Sequence, residues 1–189
     1  MCYQFPESDL KKLIVSLILL LLIATLVTAK YLGFFAPSFS SVAHNPIQRI
    51  ELTDLSGTSH SFDELEGNET VIYFFTSWCA PCYKTLATLQ ALSQNHDLKF
   101  VLLTVALDDD LDAITRMLEK TAFSGQVWLA SEGTMALQKR YFGNERRTVP
   151  YVIRLSDNTN ISESAYSLNA AEWKSILVDG VSFARAKGL

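Results

Sequence analysis

Residues 71–82 read VIYFFTSWCAPC. Val71 to Phe75 is an unbroken apolar, β-prone run, the pattern of a strand buried on both faces of a partly parallel sheet. Two of the chain's three cysteines, Cys79 and Cys82, follow directly. Over residues 80–94, Leu86, Leu89 and Leu92 recur at helical spacing, so the pair falls where a central strand feeds a helix.

Working outward, residues 49–67, RIELTDLSGTSHSFDELEG, alternate apolar and polar residues around Ser56-Gly57, which predicts a short hairpin and then a turn of helix. Leu98 to Leu107 predicts a second buried strand, and Asp108-Asp109-Asp110 suits the N-terminus of a helix carrying Ile114, Met117 and Leu118. Val127 to Leu129 reads as a short strand, 132–141 as a helix, and Pro150 to Leu155 as a third buried strand. Ile161 to Tyr166 is placed antiparallel to it across Asp157-Asn158, and 169–185 reads as a closing helix. Strands alternating with helices predict an α/β sandwich.

The 189 residues suffice for one domain with a core and an appendage. That appendage is at the front. Residues 13–29, LIVSLILLLLIATLVTA, hold no charge and follow Lys11 and Lys12. As a helix they span about 26 Å at 1.5 Å per residue, and Tyr31, Phe34 and Phe35 extend the run towards a membrane thickness with interfacial aromatics. The reading is a single span over 13–35 after a cytoplasmic tail of 1–12, with the alternative of a cleaved signal peptide ending near Ala29. Either reading exports the domain at 47–189, behind a Pro/Ser-rich linker at 36–46. Residues 36–189 hold 13 Lys+Arg against 18 Asp+Glu, a formal charge of −5, which argues against a nucleic-acid partner. Cys2 would lie across the membrane from the other two cysteines.

The pair has three possible uses: redox centre, half of a metal site, or structural clip. At a helix start the first thiol sits over unpaired backbone N–H groups and the positive end of the helix dipole, which stabilises its thiolate. Cys79 is therefore the candidate nucleophile and Cys82 the resolving thiol. Pro81 suits the first helical turn, where its missing N–H costs nothing. A zinc site needs further ligands, and His44, His60 and His96 form no second paired spacing. A clip closing so short a loop stabilises little. Soft thiolates keep copper or zinc handling as an alternative, and a disulfide-donating oxidase is another.

VIYFFTSWCAPC, taken with ELTDLSGTSHSFDELEG before it and VLLTVALDDD and TVPYVIRLSD after it, resembles the thioredoxin fold. Within that fold it is similar to the TlpA-like membrane-anchored thiol-disulfide oxidoreductases of bacteria, over residues 47 to about 178. The resemblance implies a central mixed β-sheet flanked by helices, a Trp78 flanking the nucleophile, and a cis-proline at Val149-Pro150 beside the redox pair, where a substrate backbone docks. It also implies a disulfide-containing exported substrate, no soluble cofactor, a transmembrane electron donor of the DsbD type, and a bacterial inner-membrane protein whose catalytic domain faces the periplasm. Two positions depart from relatives. Tyr73 stands where thioredoxin has a buried aspartate, and Thr85 stands where some reductases of apocytochrome c have a glutamate. Arg146 and Arg147, just before Pro150, are candidates to approach the active face.

Overall fold

The computed structural model describes residues 16–21, 24, 50–130 and 135–188. The chain divides into two units, Met1–Ala43 and His44–Leu189. In the first, residues 16–21 are helical, with Leu17, Ile18, Leu19, Leu20 and Leu21 exposed. Among the described residues no helix is long and apolar enough to cross a membrane. Most of the span expected at 13–35, the tail at 1–12 and the linker at 36–46 lie outside the described residues.

In the second unit the described strands form one sheet: β1 (Leu52–Asp54), β2 (Ser59–His60), β3 (Thr70–Phe75), β4 (Val101–Ala106), β5 (Gln126–Ala130), β6 (Tyr151–Leu155) and β7 (Ile161–Ala165). Their order is β2-β1-β5-β4-β3-β6-β7. β3 and β5 run parallel to β4, whereas β1, β6 and β7 join by antiparallel pairing, so the sheet is mixed. All six residues of β3 are buried, as its uninterrupted apolar run requires.

Side chains of β3 alternate between two cores. Val71, Tyr73 and Phe75 face a layer made by α1 (Ala80–Asn95), α2 (Leu111–Thr121), α4 (Ala170–Leu177) and α5 (Phe183–Ala186). Ile72 and Phe74 face the other side, where the 3₁₀ turn Phe62–Leu65 and Phe142, at the end of α3 (Met135–Phe142), pack with Trp128 and Tyr151. Leu86, Leu89 and Leu92 all lie buried on the inner face of α1.

Three elements differ from their sequence expectation. β4 begins at Val101 rather than Leu98, because Lys99 donates its N–H to the Leu177 carbonyl of α4 at 2.8 Å and so leaves the strand ladder. The closing helix is two helices: Gly180, at φ +73°, turns the chain between α4 and α5. Of the three aspartates only Asp110 caps α2, accepting from the Ala113 N–H at 2.9 Å. Asp108 turns back to the loop before Cys79, where its Oδ2 accepts from the Ser77 N–H at 2.8 Å.

Candidate active site

Helix α1 starts immediately after Cys79, which is its N-cap in an extended conformation, and Pro81 occupies its first turn. Cys79 and Cys82 are joined by a disulfide with Cα atoms 5.3 Å apart. The loop is closed by backbone bonds from Cys79 N to Thr76 O at 3.1 Å and from Cys82 N to Cys79 O at 3.0 Å. Both cysteines are buried, Cys79 with 4% of its surface in solvent and Cys82 with none. The first turn of α1 contains no acidic residue, and nothing there opposes negative charge on Cys79. Trp78 is 68% exposed, an unusual place for so large an apolar surface.

The second wall of the site comes from the entry to β6, the strand beside β3. The Val149–Pro150 peptide is cis, and β6 begins one residue later. Val149 packs against both cores. A groove of about 530 Å³ runs from Pro81, Lys84 and Thr85 on α1 past Pro150 to Leu168 and Trp173. Lys84 is the one charged residue among its described lining. Trp78, Pro81, Val149 and Pro150, expected to support the pair, thus lie on the redox loop, on α1 and at the entry to β6.

Beneath the pair the departures from relatives become physical. Tyr73 is buried, 5.7 Å edge-on from the Trp173 ring and 6.2 Å from that of Phe75. Burial pushes its phenol up from the ordinary tyrosine range, and Thr85 approaches the hydroxyl without hydrogen-bond geometry. The hydroxyl is a neutral donor with no partner, not a proton acceptor. Thr85 turns its own hydroxyl back to the Pro81 carbonyl at 3.4 Å. Arg146 lies over the Tyr166 ring, 4.6 Å from its centroid, and its N–H donates to the Tyr166 hydroxyl at 3.2 Å. Arg147 is exposed, at φ +51°.

The Redoxin family profile matches residues 35–174, most of the chain. The chain belongs to the Redoxin family. The thiol-disulfide oxidoreductase ResA of Bacillus cereus is 30% identical to this Redoxin-family chain over 94 residues, 50% of this chain and 54% of ResA. The match therefore spans about half the length of the curated relatives. StoA from Bacillus subtilis is 25% identical with a TM-score of 0.53, covering 66% of this chain and 92% of that one. A thioredoxin-related protein from Neisseria meningitidis serogroup B, 17% identical, gives a TM-score of 0.58 over 74% of this chain and all of that one. The fold of this Redoxin-family chain is thioredoxin-like, with the mixed sheet between helices that the resemblance implied.

Sequence reading missed two polar residues of the site. In the sequence Asp108 reads, like its neighbours, as a helix-opening acid, and only the fold brings it to Ser77. Asn144 gave no signal at all, yet it is fully buried beside the entry to Val149.

Proposed function

We propose that this chain is a TlpA-like thiol-disulfide oxidoreductase that reduces disulfides of exported proteins. The observation that carries the reading is the Cys79–Cys82 bond at the strand-to-helix junction, with Cys79 on the N-cap of α1 and Cys82 inside its first turn.

In the reduced protein the Cys79 thiolate attacks one sulfur of a substrate disulfide. The substrate S–S bond breaks, its other sulfur leaves as a thiolate and takes a proton, and Cys79 holds the substrate in a mixed disulfide. Cys82 attacks the Cys79 sulfur, its proton passing to the departing substrate sulfur, which releases the second substrate thiol and closes the internal bridge. Two electrons pass to the substrate. A transmembrane donor of the DsbD type returns them, since an oxidising compartment supplies none. The Ala80-Pro81 dipeptide between the cysteines, similar to that of thioredoxin-like reductases, supports the reducing direction. The substrate backbone docks at Val149–Pro150 and lies along the groove past Lys84. The uncharged run at 13–29 supports a single membrane anchor, with the domain on the periplasmic side.

The test is reduction of insulin disulfides by the full chain. Cys79→Ser should abolish turnover, and Cys82→Ser should accumulate a mixed disulfide at Cys79. Turnover that survives Cys79→Ser defeats the proposal, and tight stoichiometric copper or zinc without turnover replaces it with metal carriage.

A further inference from the structure

We infer that Asn144 is a positioning residue that sets the substrate-docking segment Val149–Pro150 in place through the peptide of Thr148. The inference rests on the proposed reading of that segment as the docking strand. β6 does not begin until Tyr151, so no sheet ladder fixes the three residues before it. A side chain does this instead. Asn144 Nδ2 donates to the Thr148 carbonyl at 2.9 Å, and Asn144 Oδ1 accepts from the Thr148 N–H at 3.4 Å, so one carboxamide pairs with both backbone groups of one residue as a neighbouring strand would.

The carboxamide is itself held. Nδ2 donates to Gln138 Oε1 on α3, and the Asn144 N–H donates to the Gln138 carbonyl at 3.2 Å. Asn144 and Gln138 are both fully buried. The loop closes around them through Arg147 N to Asn144 O at 3.1 Å, with Gly143 and Arg147 both at positive φ. Tyr151, the first residue of β6, returns its hydroxyl to the Phe142 carbonyl at 2.7 Å, tying the other side of the segment to the same helix end.

Two buried amides are a poor choice for stability alone, because an apolar pair of similar volume fills the space without desolvating four polar atoms. Gln138 Nε2 is in fact left without a partner. What the amides supply is direction: the backbone at Thr148 has one orientation in which both its N–H and its carbonyl are satisfied. Val149 then presents its backbone to an incoming chain at a fixed angle, and main-chain pairing of that kind tolerates little misplacement.

The experiment compares wild type, Asn144→Ala and Asn144→Asp in the full-length protein with two substrates, insulin and hydroxyethyl disulfide. The latter has no peptide backbone to dock. Asn144→Ala should raise KM for insulin about tenfold with kcat unchanged, the scale of a lost buried hydrogen bond. Its rate with hydroxyethyl disulfide should stay within about twofold of wild type, because a misplaced docking strand touches only substrates that dock. Asn144→Asp keeps the Oδ1 acceptor and the volume but sets a carboxylate oxygen against the Thr148 and Gln138 acceptors, so it should raise the insulin KM at least as far as Asn144→Ala; it carries the test if Asn144→Ala does not fold. Lys139→Ala, which breaks only the exposed 2.9 Å pair with Glu145, should leave both substrates unaffected. An unchanged insulin KM, a parallel fall with both substrates, or failure of both variants to fold overturns the inference. Absence of insulin reduction by wild type overturns the proposed function itself, which separates the two failures.

Discussion

Two residues around the redox pair do separable things, and each makes a prediction. The Asp108 carboxylate holds the Ser77 N–H, two residues before Cys79, from a partly buried position. Asp108→Ala leaves that N–H unpaired and should cost about 1–3 kcal/mol of stability while slowing insulin reduction; Asp108→Asn keeps an acceptor and should recover most of both. Chemical denaturation and initial rates on the two variants check this. Tyr73 is the reverse case. Its hydroxyl is buried with no partner, so Tyr73→Phe should be neutral or stabilise by about 1 kcal/mol and leave the disulfide-reduction rate unchanged. A rate loss of tenfold or more in Tyr73→Phe would mean that the phenol serves the sulfurs after all. Both residues lay in plain sight in the sequence. Neither role was legible there, since a carboxylate 31 residues from its partner and an orphaned hydroxyl are properties of packing.

At the scale of elements, the β1–β2 hairpin and the following turn are clamped by charge. His60 stacks on Trp128 with ring centroids 4.8 Å apart, and its Nδ1 lies 2.8 Å from Glu64. Its Nε2 lies 3.5 Å from Asp54. The Glu64 hydrogen bond holds the imidazolium above the ordinary value of 6.5. Since the folded value is raised, this contribution is fully present below the unfolded value and fades as pH rises through the folded one. Asp54 behaves oppositely: the Ser56 hydroxyl and then the Thr58 N–H lower it to about 2, so its contribution is lost only as pH falls towards that value. The melting temperature should therefore decline as pH rises above the ordinary histidine value of 6.5 through the raised folded one, and His60→Gln should flatten that decline; an unchanged slope contradicts it. The hairpin itself, the buried strands and α1 were legible because periodicity and Gly57 mark them locally. The start of β4 and the break at Gly180 were not, because each is decided by contacts between α4 and the loop at Lys99 or by backbone turning after the apolar pattern has ended.

For the molecule as a whole, a sheet that is buried on both faces sets where chemistry can occur. β3 lies between β4 and β6, so its C-terminal end feeds α1 while β6 enters from the opposite direction, and the redox loop meets Val149–Pro150 at one edge of the core. Cutting the support under that edge should be costly: Leu86→Ala, fully buried on α1, should destabilise by about 2–5 kcal/mol in chemical denaturation. On the proposed mechanism this architecture has to present the Cys79 sulfur and withhold that of Cys82. The measurement that probes this most directly is alkylation of the fully reduced chain by iodoacetamide at neutral pH, with modification at each cysteine followed by mass spectrometry. Cys79 should react at least about tenfold faster than Cys82, as a thiol at a helix N-terminus does relative to a buried one. Equal rates at the two positions, or an inert Cys79, would contradict the account.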